Sequence, residues 1–294
     1  MNNAEANAQP SIDVVLEQTV RDLGIPPRPE IIDRVVAETR KDNPNFHYLG
    51  QLISADVSLA ASLIKTANSP FFGSRSRARS LNDALLMLGL EIVSRAIAGI
   101  NLRKALATDI RMERFWHASA QIAALSGWLV QMLGKRKLSA DDAYTYGLFR
   151  DCGIPVMLRR FPGYEKALAR ANDEAELPFT QVEQQGLQEF PTDHAKVGCL
   201  LGENWWLPEE ICLAIRHHHD LSALSSGDSR LPAISRYLVA TGQIAERILQ
   251  ELTGGSHTQE WAKLGPSCLR LLDVSEEELK GIIGMAGVVL KSVE

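Results

Sequence analysis

Gly147-Leu148-Phe149-Arg150-Asp151-Cys152-Gly153 is the stretch on which the reading of this chain turns. It lies in an apolar-periodic run, Ala140 to Leu158, whose spacing predicts one helix. Gly147 and Gly153 permit close approach of a neighbouring element. Between them sits an adjacent Arg-Asp pair. Asp151 reads either as a helix-breaking or capping carboxylate or as a ligand. Arg150 can pair with it or hold a phosphate in two-pronged fashion.

Outward from this stretch the chain stays helical. Upstream, helical spacing predicts segments from Ser11 to Leu23, Pro29 to Arg40, Phe46 to Ser54, Asp56 to Ala67 (capped near Ser54), Leu81 to Ile100 and Glu113 to Leu133. Gly24 ends the first. Ile25-Pro26-Pro27-Arg28-Pro29 then forbids helix and favours an extended crossing. Downstream follow Gly163 to Asn172, Phe179 to Glu189, His194 to Trp205, Glu209 to His218 behind Pro208, a helix from Pro232 to Leu252, and two or three short helices. No alternating strand and no 20–50-residue repeat is found. The fold class expected is all-α: an N-terminal helical bundle (11–105) packed on a second helical unit (106–252), with a tail (1–10) and a C-terminal helical extension (253–294).

The histidines carry the chemical signal. His117, Asp151, His194 and the run His217-His218-His219 each lie at or near the end of a helix in the second unit. His and Asp side chains converging from helices of one bundle are how nitrogen- and oxygen-rich metal sites are built. A lone histidine on an apolar helix also serves as a hydrogen-bonded core residue. Of three consecutive histidines at most two can face one way, because helical neighbours are about 100° apart.

Bulk properties narrow the classes. Net charge is −5 with pI 5.9, which argues against nucleic acid as the main partner. Residues 70–114 are locally basic, with eight Lys/Arg and four Asp/Glu. The loop bearing Arg75, Arg77 and Arg79 is therefore a candidate anion site. It is also the only basis for a nucleic-acid regulator, the weakest of the three function classes weighed. Cys152, Cys199, Cys212 and Cys268 form no CxxC pair and read as buried thiols in a reducing compartment. No signal-peptide pattern appears at the start. The most apolar run, Ala84 to Ile100, carries Glu91 and Arg95, so a cytoplasmic chain without membrane contact is expected.

Taken together, Ile25-Pro26-Pro27-Arg28-Pro29, Ala67-Asn68-Ser69-Pro70-Phe71-Phe72-Gly73, Phe115-Trp116-His117, the Gly147–Gly153 stretch, His194-Ala195-Lys196-Val197-Gly198, Trp206-Leu207-Pro208 and Ile215-Arg216-His217-His218-His219 resemble the HDOD family, a branch of the HD phosphohydrolase superfamily. The resemblance covers roughly residues 20–250. It implies an all-helical signalling module whose second unit is a degenerate HD-type helical unit. Carried over residue by residue, His117 matches the first metal-binding His and Asp151 the Asp of the His-Asp pair. Arg150 stands where the pair's His belongs, and a guanidinium offers no lone pair. Gln243 falls near the later Asp. The extra histidines of cyclic-di-GMP phosphodiesterase relatives are matched by His194, His218 and His219.

The resemblance therefore implies an output module that binds a nucleotide or a partner signalling protein without catalysis. No cofactor is expected, a divalent iron, manganese or zinc ion being the one candidate. The alternative is a metal-dependent phosphohydrolase acting on a cyclic dinucleotide or other phosphoester. Oligomeric state stays open.

Overall fold

The computed structural model describes residues 21–291 except 70, 73–76, 107–109, 135–137, 188–191, 225–230 and 255–257, with only the backbone of 110–111. Every regular element among them is helical. The helix expected from Ser11 lies outside the described residues up to position 20. Its stop is visible: Gly24 takes φ +70°, and its N–H bonds Arg21 O at 2.9 Å.

Four helices form the N-terminal group: α1 (Glu30–Thr39), α2 (Phe46–Ser54), α3 (Val57–Ala67) and α4 (Leu81–Leu106). Helix α3 is capped by Asp56, whose carboxylate accepts from Leu59 N, and not near Ser54 as the spacing suggested. Helix α4 outruns its expected end at Ile100 and bends at Gly89, which adopts φ 73° and ψ 162°. Such a conformation is open to glycine and costly for other residues. Among the described residues α4 is the one helix long and apolar enough to cross a membrane, although the sequence singled out no such span. Its Val93, Ile97 and Leu102 lie in the protein core, and Arg95 pairs with Glu91 and Asp142. The loop between α3 and α4 is pinched shut by Asn68, whose side-chain amide both donates to and accepts from the Ala78 backbone at 2.9 Å.

The remainder comprises α5 (Ile110–Leu133), α6 (Ala140–Phe149), α7 (Gly153–Arg160), α8 (Tyr164–Asp173), α9 (Phe179–Gly186), α10 (His194–Asn204), α11 (Glu209–His217), a 3-10 turn (Leu221–Leu224), α12 (Ala233–Thr253), α13 (Glu260–Leu272) and α14 (Glu276–Leu290). One contiguous core runs through both helical groups, from Leu23 to Leu290. Helices α5 and α6 meet closely. A Cβ on Gly147 would stand 2.8 Å from the Ala123 Cα, so the side chain must be absent there.

The helix expected from Ala140 to Leu158 is in fact two, broken at Arg150-Asp151-Cys152. Pro155 explains the break. It has no N–H to donate to the Asp151 carbonyl, and its ring would crowd that carbonyl in a continuous helix. Proline is tolerated in the first turn of a new helix, which is where α7 places it. The Asp151 carbonyl instead accepts from Ile154 N at 2.9 Å. The second glycine of the stretch then sets α7 directly on α10. A Cβ at Gly153 would fall 2.0 Å from His194 O and 2.8 Å from Gly198 N.

Gly153→Ala is accordingly expected to force these two helix starts apart and cost about 1–3 kcal/mol of stability. Urea unfolding measures this. A variant with wild-type stability would mean that the α7–α10 contact is looser than described.

Candidate functional site

The break between α6 and α7 turns Arg150 and Asp151 in different directions. Arg150 is buried, and its guanidinium meets Glu246 Oε2 of α12 at 2.7 Å. It also lies 3.4 Å from Gly242 O and 3.5 Å from Gln243 Oε1. Asp151 is a more distant partner at 3.9 Å. Burial works against the guanidinium's charge, but Glu246 and Asp151 outweigh it and keep Arg150 protonated.

Asp151 faces three imidazoles. Its Oδ1 lies 3.2 Å from His218 Nε2 and 3.6 Å from His194 Nε2. His194 Nε2 lies 3.1 Å from His218 Nε2 and 3.2 Å from His219 Nε2. Each ring is turned by its other nitrogen. His194 Nδ1 lies 2.8 Å from the fully buried Glu183, which Tyr164 also donates to. His218 Nδ1 meets Ile215 O at 2.7 Å, and His219 Nδ1 meets Glu260 Oε2 at 2.5 Å. A carbonyl can only accept, and so can an ionised carboxylate. All three Nδ1 atoms therefore carry hydrogen and all three Nε2 atoms point inward. Phe179 stacks flat on His219, ring centres 4.1 Å apart.

Converging Nε2 lone pairs repel unless a proton or a cation sits among them. Without metal the proton belongs to His194. Burial lowers its pKa, but Glu183, with Asp151, overrides burial and raises it to about 10. Burial leaves His218 below its ordinary value despite Asp151. Burial and the neighbouring positive groups push His219 well below it. Asp151 is held well below the usual carboxylate range: burial raises it, and Arg150 with the two histidines more than compensates.

The same four groups fit a metal ion. Their donor atoms all lie within 4.8 Å of one another. Bonds of about 2.0–2.1 Å in a tetrahedral set place ligand atoms roughly 3.3–3.4 Å apart, close to the 3.1–3.6 Å of the four spacings that His194 makes with the other three groups and His218 with Asp151. Outer acceptors on each Nδ1–H are the usual support of metal-binding histidines. Beside the cluster opens a cavity of about 200 Å³ bordered by Phe115, Ser119, Arg150, Asp151, His219 and Glu246.

A profile of the HDOD domain matches residues 25–221. The chain belongs to the HDOD family. Among solved structures this HDOD chain is similar to an HDOD domain protein of unknown function from Geobacter sulfurreducens, at 21% identity and TM-score 0.65, covering 95% of this chain and 96% of that one. It also resembles a candidate signal transduction protein from Marinobacter aquaeolei, at 25% identity and TM-score 0.57, covering 92% of this chain and 61% of that one. An uncharacterised Treponema pallidum protein is 26% identical over 232 residues, 78% of this chain. The chain spans 42% of that relative's length.

Of the site residues expected from sequence, the HDOD fold brings together Asp151, His194, His218 and His219. It leaves His117 exposed on α5. The face of α5 toward the cavity is Phe115, Ala118, Ser119 and Ile122, and His117 sits about 200° around the helix from Phe115. His217 is also outside, 3.5 Å from Asp220. Gln243 is buried next to Arg150 and donates to Glu246 at 3.3 Å. Arg77 and Arg79 are exposed and border no part of the cavity beside the cluster, and Arg75 lies outside the described residues. The divalent ion that the sequence kept as its one cofactor candidate has a possible site in this His/Asp cluster.

The sequence reading missed Glu183, Glu246 and Glu260. The signal for the first was a carboxylate sharing the buried helical face of Phe179 and Val182. For Glu246 it was polar Gln243 three residues earlier on the buried face of α12.

Glu246→Gln should cost about 3–5 kcal/mol, because it strands a buried guanidinium, whereas Arg150→Met with Glu246→Leu should recover much of the loss. Chemical denaturation of both proteins decides this, and equal loss in the two would show that the ion pair is not what anchors α12. The His194 proton gives a second test. A pKa raised in the folded state stabilises fully below its unfolded value of about 6.5 and is lost as pH rises toward 10. Metal-stripped protein should melt at a lower temperature at pH 9.5 than at pH 6.5, and His194→Gln should flatten the difference. A flat wild-type profile would place the proton elsewhere.

Proposed function

We propose that this HDOD domain is a signal-transduction output module that holds one divalent transition-metal ion through Asp151, His194, His218 and His219 and acts by binding a nucleotide or partner signalling protein, not by hydrolysis. The observation that carries this reading is Arg150. Its permanent charge lies against Asp151 and is neutralised by Glu246, so the negative groups that a second cation would need are already satisfied. A single ion with four protein ligands fits a closed, structural site better than one keeping a position for a reactive water. Such an ion would tie together the α6–α7 break, the start of α10 and the end of α11. Four buried free thiols suit a reducing, cytoplasmic setting. The rival reading, a metal-dependent phosphohydrolase, draws on the cavity beside Asp151, where a phosphoester would have room.

Elemental analysis of protein purified without metal-affinity resin should find close to one iron, manganese or zinc per chain, lost in His218→Ala. A phosphomonoester and phosphodiester panel with added manganese should yield no product. Turnover that disappears in His218→Ala would replace the binding module with the hydrolase.

A further inference from the structure

His219 forms part of the wall of a second, larger cavity on another side of the cluster. This cleft holds about 650 Å³, within the range of small-molecule sites. Its walls come from the start of α9, the first turn of α10, the last turn of α11, the 3-10 turn and α13. Three cations face it from three helices: Lys196, Arg216 and Lys263. Pro178, Leu221 and Leu264 supply apolar wall.

The acids in the same wall are largely spent on local structure. Asp193 caps α10 through Lys196 N at 2.8 Å, and its other oxygen takes Gln184 at 2.7 Å and Lys196 Nζ at 2.9 Å. Asp220 accepts from Ser222 N at 2.9 Å and Ser222 Oγ at 2.6 Å, with His217 at 3.5 Å. Arg216, by contrast, makes no hydrogen bond or ion pair with another described side chain; it is exposed in the last turn of α11 and lines the cleft with five donors to offer. Glu176 is the third acid of the wall, and Lys196 and Lys263 are held at rest by Asp193 and by Glu260 with Leu177 O, so Arg216 is the cation left open to the cleft, with the two lysines beside it.

We propose that this cleft is the binding site of a small phosphate ester, with Arg216 and Lys196 on the phosphate and the Pro178–Leu221–Leu264 wall against the body of the molecule. The inference rests on the output-module reading and names the place where a nucleotide-type ligand would bind. Lys263 connects the cleft to the metal cluster. It lies 2.7 Å from Glu260 Oε1, and Glu260 Oε2 receives His219 Nδ1–H at 2.5 Å. A phosphate drawing Lys263 away leaves the Glu260 carboxylate to His219 alone. That makes the ring a better metal ligand. Ligand and metal then favour one another, and the coupling is reciprocal.

The experiment titrates the full metal-loaded chain with adenosine 5′-monophosphate and with inorganic phosphate by calorimetry. Saturable binding is expected, tighter for the nucleotide and weakened roughly tenfold or more in Arg216→Gln and in Lys196→Gln. Metal content and melting temperature should be unchanged in Arg216→Gln, and saturating nucleotide should slow metal loss to a chelator. No saturable binding of either probe, or equal binding in wild type and Arg216→Gln, overturns the proposal. Binding that vanishes in His218→Ala but persists in Arg216→Gln puts the phosphate on the metal and overturns it too. Metal content is measured on the same samples, so a chain without metal that still binds through Arg216 refutes the metal reading and leaves the cleft standing.

Discussion

Removing a guanidinium from water costs several kcal/mol unless a carboxylate goes with it, and Arg150 is almost wholly buried. That requirement organises the centre of the molecule. Glu246 must come from α12, so α12 must lie against the end of α6. It does so by placing Gly242 under the Tyr146 ring, where a Cβ would stand 2.6 Å from the ring edge. Gln243 fills the remaining polar space. With Arg150 committed to α12, the next residue is free to point the other way. The break enforced by Pro155 turns Asp151 onto the histidines. One ion pair thus separates two environments, a fixed internal cation on one side and a His/Asp group that could hold a metal ion on the other.

The histidine side is built on the same logic. The three rings meet at their inward nitrogens, His194 Nε2 lying 3.1 Å from His218 Nε2 and 3.2 Å from His219 Nε2. Each is aimed from behind, by Glu183 on α9, by the carbonyl of Ile215 on α11 and by Glu260 on α13. Buried carboxylates are expensive, and both are shared: Glu183 also takes the Tyr164 hydroxyl, and Glu260 also takes Lys263. The cluster therefore draws on α6–α7, α9, α10, α11 and α13. Glu246 and Glu260 lie beyond residue 221, where the family match ends, so this chain's C-terminal helices complete the site.

How much of this was legible follows from the range of each interaction. Periodicity, capping residues and proline act within a few positions, and they placed α2, the stop at Gly24 and the starts of α11 and α12 correctly or to within a residue. The break at Arg150-Asp151-Cys152 was local too, since Pro155 announced it, but the apolar pattern runs through the break and hides it. His117 was misjudged because its match to the ligand pattern says nothing about rotation around α5. The carboxylates behind the rings were out of reach for a different reason. Glu183 is 11 residues from His194, Glu260 is 41 from His219, and Glu246 is 96 from Arg150. No spacing rule joins such positions; only the packing of helices does.

The extended segment before α1 shows why the cluster cannot be considered apart from the N-terminal helices. Its prolines keep it from pairing with itself, so its carbonyls need donors from elsewhere. In the turn that leads into it, Arg159 reaches Gly24 O at 2.6 Å and Arg160 reaches Asp22 O at 2.7 Å, both from the last turn of α7. Just past the end of α10, Trp205 donates to Pro26 O at 3.1 Å, and Arg28 returns a bond to Asn204 O. Trp206 next to it sits at φ 62°, a left-handed conformation costly for a large side chain, and is held there by Arg28 and Arg40 over its ring and by Asp33 on its indole nitrogen. Helix α7 begins two residues after Asp151, and α10 begins at His194 itself. At 1.5 Å per residue these helices are roughly 12 and 16 Å long. Two short stiff rods thus start at the cluster and end on the same N-terminal strap. A change in the distance between Asp151 and His194 must move the far ends of both rods or break the contacts they make there, which gives a binding event at the cluster a mechanical route to the N-terminal helices.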